Sequence, residues 1–251
     1  MPGPVKTEAV VLRSMRFGEA DRILHLYTPG RGRVGAIAKG VRRARSRFGG
    51  RLEPFGRVDL VLHEGRSDLL TVTGAQILEP HRVLREDGRA LDAAGRACDA
   101  VARLFEHAEP QPEVYRLLCH ELTILDRAAA APEKAAAAGF DHHANQLAFR
   151  LKLLHAGGFA PQLTSCAQCG EVDHLSGFSG AAGGVVCSSC EAGAFPLAQD
   201  AYGFLTDALA APLARAPQAP TRALAQAERA IGETVEHHAG VHLRSARPVA
   251  P

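Results

Sequence analysis

The chain has no tryptophan and three tyrosines, and aromatic residues make up 5% of its 251 positions. Any surface that works by ring stacking must therefore be small. No run of about 18 apolar residues occurs, and no basic start followed by an apolar stretch opens the chain, so neither membrane insertion nor export is expected. The patterns G-x-x-x-x-G-K-[ST], G-x-S-x-G and H-E-x-x-H are missing, which argues against nucleotide hydrolysis, serine hydrolysis and zinc proteolysis. Acidic residues are also missing from one long stretch. Between Asp21 and Glu53 there is none, while Arg22, Arg31, Arg33, Lys39, Arg42, Arg43, Arg45, Arg47 and Arg51 supply nine cations.

The formal net charge of +2 hides this asymmetry. Residues 1–80 carry 14 Lys and Arg against 8 Asp and Glu, and the remainder carries 15 against 19. A basic segment without intervening acids points to a polyanion, with phosphate as the chemical partner. Arginine predominates from Arg42 to Arg51, which suits bidentate phosphate contacts and stacking on exposed bases. The bland alternative is a solvated charged loop. Of the nearby aromatics, Tyr27 and Phe48 are candidates for base platforms on thin support, and Phe17 and Phe55 read equally as core or as base platforms.

Alternation at Val10 and Leu12, Leu24 and Leu26, Val34, Ala36 and Ala38, Val58, Leu60 and Leu62, and Leu70 and Val72 predicts five short strands. Thr28-Pro29-Gly30-Arg31-Gly32 reads as a type II turn, and Glu64 to Asp68 separates the last two strands. An OB-fold barrel over 1–80 is the economical reading, with an SH3-like barrel as runner-up. From residue 81 the period becomes helical. Leu91, Ala94, Cys98, Val101 and Phe105 form one face, and Val114, Leu117, Leu118, Leu122 and Leu125 another. Leu147, Leu151 and Leu154 continue in a helix stopped at Gly157-Gly158, and helices return after about residue 195. The fold class is thus α+β, a barrel followed by an 81–251 helical domain into which residues 163–195 are inserted; Arg247 to Pro251 reads as a disordered tail.

That insertion carries Cys166-Ala167-Gln168-Cys169 and Cys187-Ser188-Ser189-Cys190. Four thiolates at this spacing can close around one zinc ion and leave no place for a catalytic water, so the site reads as structural. Two disulfides or a redox dithiol are the competing readings. Gly170 suits the knuckle turn, because glycine accepts positive φ. Cys98 and Cys119 fall on apolar helical faces and read as core. His142-His143, His237-His238 and the His238/His242 pair are exposed or capping residues rather than ligands on this reading, and Glu19 with Asp21 is too small a set for a nuclease metal site.

Lys39 to Arg47 with Leu52-Glu53-Pro54-Phe55, followed by Phe149 to Pro161 leading into the cysteine array, resembles the bacterial RecO family of recombination mediators, and the resemblance runs from the Thr7-to-Val11 strand to the last helix. It implies a non-enzymatic, cytoplasmic, nucleoid-associated protein of the RecF pathway that binds single- and double-stranded DNA and anneals complementary strands. It also implies the partners RecR, the acidic tail of single-strand-binding protein, and in some settings RecF, with the RecA recombinase loaded as the result. Arg33, Lys39, Arg42, Arg43, Arg45, Arg47 and Arg51 are the candidate DNA contacts. A zinc-stabilised nucleic-acid enzyme such as a nuclease, and a scaffold for acidic protein tails, are the alternatives.

Overall fold

The computed structural model describes residues 3–65 and 68–246. The Glu64 to Asp68 connection is described apart from Arg66 and Ser67, and the Arg247 to Pro251 tail lies outside the described residues. The chain divides into two compact units, one ending at Ala130 and the other starting at Ala131.

In the first unit, strands β1 (Val5–Phe17), β2 (Asp21–Thr28), β3 (Gly32–Ala38), β4 (Arg57–His63) and β5 (Leu70–Glu79) close a barrel in the order β1-β2-β3-β5-β4. The seam between β3 and β5 is parallel and the remaining pairings are antiparallel. This is the OB arrangement, and the SH3-like alternative drops out. Leu24, Leu26, Ala36, Ala38, Val58, Leu60, Leu62, Leu70 and Val72 fill the interior, as alternation requires. Strand β1 differs in that Ala9 and Val11 face inward. Val10 and Leu12 are also buried, on the opposite face, because helix α1 (Gly88–Leu104) packs against β1.

The Thr28 to Gly32 turn is not type II. Gly32 takes the positive φ of 56°, where a type II turn would need it at Gly30. The Thr28 hydroxyl holds the turn instead, accepting the Arg31 N–H at 3.1 Å and donating to the Gly32 carbonyl at 3.2 Å. A Cβ on Gly32 would lie 2.4 Å from the Glu109 carbonyl oxygen.

Helix α1 starts at Asp87, whose carboxylate accepts the Ala90 N–H at 2.8 Å. It packs on α2 (Pro112–Ala130) through Ala94, Cys98 and Val101 from α1 and Val114, Leu118, Leu122 and Leu125 from α2. Leu91, expected on the buried face, is 39% exposed at the first turn of α1. Arg57 of β4 reaches Glu8 at 2.8 Å and Glu79 at 3.1 Å, and the Tyr115 hydroxyl of α2 donates to Glu8 at 3.1 Å. This network draws α2 to the barrel, and the Arg57 hydrogen bond holds Glu8 below its usual carboxylate range.

In the second unit a buried α4 (His142–Ala156) packs against α5 (Gln199–Ala210) and α6 (Thr221–Ala239), and α3 (Pro132–Ala137) buries none of its residues. Polar residues of α4 serve as ties: Arg150 donates to the Arg244 carbonyl and Lys152 to the Leu209 carbonyl at 2.9 Å, the latter satisfying an open end of α5. Helix α4 stops at Gly157-Gly158 as expected, with Gly158 at φ 79°. The inserted segment forms its own sheet, β6 (Leu175–Ser179) between β7 (Gly184–Cys187) and β8 (Phe195–Pro196).

Candidate nucleic-acid interface and metal centre

The residues between β3 and β4 form a chain of tight turns, with N–H to carbonyl bonds Arg43→Gly40, Ser46→Arg43, Gly49→Ser46 and Arg51→Phe48 at 2.9–3.3 Å. Two apolar side chains peg this coil to the barrel. Phe48 and Leu52 are each 1% exposed and belong to the barrel core. At its start, Asp21 accepts the Gly40 N–H at 2.7 Å and the Arg42 N–H donates to the Ala20 carbonyl at 2.9 Å. Asp21 thus positions the start of the coil.

With the backbone held inward, Lys39, Arg42, Arg43, Arg45, Arg47 and Arg51 are exposed. Arg42 donates to the Glu19 carbonyl at 2.8 Å, Arg51 to the Arg47 carbonyl at 2.7 Å, and Arg47 lies 4.8 Å from the centre of the Phe48 ring. Carbonyls and a ring face do not cancel charge. Two other members of the acid-free run are neutralised, Arg22 by Glu53 at 3.4 Å and Arg31 by Glu64 at 2.6 Å. Among the described residues, none of Lys39, Arg42, Arg43, Arg45, Arg47 and Arg51 has an acidic partner. Arg33 does not join this group. It lies at the other end of β3, about 20 Å from Lys39 by strand rise, and donates to the Ala102 carbonyl of α1 at 2.8 Å. Burial first, then the charges of Arg33 and Arg13, push the His25 imidazole down from its usual range.

Tyr27 is fully buried and Phe48 is a core peg, so neither can serve as a base platform; burial also pushes the Tyr27 hydroxyl up. The exposed ring is Phe17, at 50%. Their burial depends on where the chain folds back, which strand parity alone does not reveal.

In the second unit the Sγ atoms of Cys166, Cys169, Cys187 and Cys190 all lie within 4.8 Å of one another and could hold a metal ion. Cys169 and Cys187 are 3.7 Å apart, far beyond a disulfide bond. Each pair is shaped by a knuckle, in which Gly170 donates to the Cys166 carbonyl and Cys190 to the Cys187 carbonyl, both at 2.9 Å. Gly170 has φ 81°, the value the turn demands. Burial opposes a Cys166 thiolate, but backbone N–H donors of Cys187, Cys169 and Gln168 outweigh it and bring that thiol down to about 6. The hydrogen bond with Cys169 leads the effects that push Cys190 up to about 12. A Cys166 thiolate beside the resisting thiols of Cys169 and Cys190 is what a positive ion would resolve.

Cys98 and Cys119 stay outside the cluster, and burial pushes Cys119 up to about 11. The histidine pairs likewise hold no cluster among the described residues: His143 pairs with Glu228 at 3.2 Å and His242 with Glu236 at 2.8 Å. No described helix is long and apolar enough to cross a membrane.

Two family descriptions match this chain, Recombination protein O N terminal over residues 1–81 and Recombination protein O C terminal over residues 85–247. A DNA repair protein RecO from Rubrobacter xylanophilus is 38% identical, over 98% of this chain and 94% of that protein. Proteins of the same description from a Nocardioides species and from Anaeromyxobacter dehalogenans are 37% and 35% identical, over 96% and 97% of this chain and 96% and 94% of their own lengths.

Proposed function

The chain belongs to the recombination protein O family, and from that premise of a role in DNA repair and recombination we propose that it binds DNA through the arginine coil between β3 and β4 and acts without catalysis. The observation that carries this reading is a hydrogen-bonded, core-pegged backbone displaying six cations, none of which has an acidic partner among the described residues. Two complementary strands repel each other until their phosphates are neutralised. Guanidinium groups offset that repulsion on either strand, irrespective of sequence, and base pairing then proceeds.

On this reading the protein binds single- and double-stranded DNA and anneals complementary strands. With RecR, and with RecF in some settings, it helps RecA replace single-strand-binding protein, whose acidic tail docks on the helical part. Lys39, Arg42, Arg43, Arg45, Arg47 and Arg51 are the contacts, whereas Arg33 ties β3 to α1. Zinc is the ion proposed for the four cysteines. A tetrahedron with arms of about 2.3 Å has sulfur–sulfur edges of about 3.8 Å, close to the 3.7 Å between Cys169 and Cys187. The ion supplies structural closure of the 163–195 module, held by four protein ligands.

The test is annealing of complementary oligonucleotides without nucleotide or added divalent metal, over a range of salt, comparing wild type with Arg43→Ala/Arg45→Ala. Loss of two phosphate contacts should flatten the logarithmic salt slope by about 1.4 for single strands. An unchanged slope refutes the coil as the DNA surface, and a cleaved or modified strand refutes the non-enzymatic reading.

A further inference from the structure

We infer that Phe17, at the tip of the β1–β2 hairpin, is a base-stacking platform that gives the basic surface a selective hold on unpaired DNA; the inference rests on the proposal that the arginine coil binds DNA. Among the described residues Phe17 is the one large aromatic side chain standing out from the surface, at 50% exposure. Leaving half of such a ring in water forgoes a substantial part of its burial energy.

Its setting is built on all sides. Phe17 is the last residue of β1 and pairs with Asp21 across the turn, where Gly18 adopts φ 56°. Asp21 is the residue that fixes the start of the arginine coil by accepting the Gly40 N–H at 2.7 Å. Arg42 closes the same junction from the other side, its guanidinium donating to the Glu19 carbonyl at 2.8 Å and contacting that of Gly18 at 3.5 Å. The hairpin tip and the cationic coil are therefore one rigid patch. Arg16 precedes the ring, is exposed, and lies opposite Arg22 on β2, whose charge Glu53 meets at 3.4 Å.

This combination selects the occupant. The charge calls for a polyanion, and a lone phenyl face beside it calls for a planar apolar group carried on that polyanion. A nucleic-acid strand with free bases offers both. In a duplex the base faces are covered, so the cations would still bind it but the ring would gain nothing. Binding modes thus separate: the arginines set the salt-dependent part common to both forms, and Phe17 sets the preference for single strands.

The experiment measures affinity for a labelled single-stranded oligonucleotide and for its duplex, over a salt series, with a 2-aminopurine base in the single strand as a stacking reporter. The variants are Phe17→Ala, Phe17→Leu and Phe17→Trp. Phe17→Ala should weaken single-strand binding roughly 5- to 150-fold, the range for one stacked base. It should leave the salt slope and duplex affinity unchanged and abolish 2-aminopurine quenching. Phe17→Trp should restore both affinity and quenching. Phe17→Leu keeps an apolar side chain without a π face and should behave like Phe17→Ala. Wild-type binding by Phe17→Ala or Phe17→Leu overturns the inference, as does an equal loss for single strand and duplex. Arg43→Ala/Arg45→Ala keeps the failures apart. Undiminished binding by that variant sinks the basic-surface reading, whereas undiminished binding by Phe17→Ala sinks the stacking platform alone.

Discussion

Replacing Phe48 by alanine should unfold the arginine coil, the proposed DNA surface, without touching a charge. The ring is 1% exposed and lies within the barrel core together with Leu24, Leu26, Leu52 and Leu60. Truncating a buried phenyl group costs about 3–5 kcal/mol, because transfer energy is lost and a cavity remains. For a unit of this size each kcal/mol lowers the melting temperature by roughly 3–5 °C, so a drop of about 9–25 °C is expected. Phe48→Leu refills most of the volume and should cost less than about 1.5 kcal/mol. Below its melting point, Phe48→Ala should still hold its strands but with the coil detached. Each residue then ordered on binding costs on the order of 1 kcal/mol, so affinity for both single and double strands should fall tenfold or more at constant net charge. Differential scanning calorimetry and fluorescence anisotropy read the two effects. A Phe48→Ala protein that melts like wild type refutes the peg; one that keeps its stability but loses single-strand binding alone would restore Phe48 as a stacking residue.

Replacing Cys166 and Cys187 by Ser should abolish stoichiometric metal binding and raise hydrogen exchange across residues 163–195 while the barrel amides keep their protection; retained metal refutes the four-sulfur site. Gly32→Ala should destabilise the first unit by more than about 2 kcal/mol, since a left-handed residue acquires a Cβ against the Glu109 carbonyl; equilibrium urea unfolding checks it. Glu228 pays for burial but is held at about 2 by His143, the Ala246 N–H and the Ser245 hydroxyl. Its folded pKa is depressed, so its stabilisation, on the order of 3 kcal/mol, is present above about pH 5 and lost as pH falls toward 2. Glu228→Gln should be less stable at neutral pH and flatten that acid limb, and parallel acid profiles would refute the assignment.

What could be read from the chain alone was what is local. Strand alternation from Leu24 to Val72 and the spacing of Cys166, Cys169, Cys187 and Cys190 each depend on a few neighbouring residues, and the structure has the alternation and brings the four sulfurs together. Burial decided by distant segments could not be read this way. Tyr27 and Phe48 are polar-tipped or loop-borne aromatics whose environment is set by chain returning from elsewhere, and Phe17 is left outside by the same geometry. The glycine-rich stretch from Leu175 to Phe195 hid a three-stranded sheet because its strands are two to five residues long. In the Thr28 to Gly32 turn, Pro29-Gly30 signalled one hydrogen-bond pattern while the Thr28 hydroxyl imposed another.

The order of strands also sets a timetable. The β1-β2-β3 meander and the β4–β5 hairpin join neighbours in sequence, so each can form early. Closing the barrel needs β1 to meet β4 and β3 to meet β5, the latter across only two register pairs, Ala36 with Leu70 and Ile37 with Thr71. The arginine coil is the tether between these halves, and its pegs Phe48 and Leu52 have no cavity to enter until the halves have docked. A chain still emerging from synthesis therefore carries its cations on a slack strand, and the shaped surface is born only with the last step of folding.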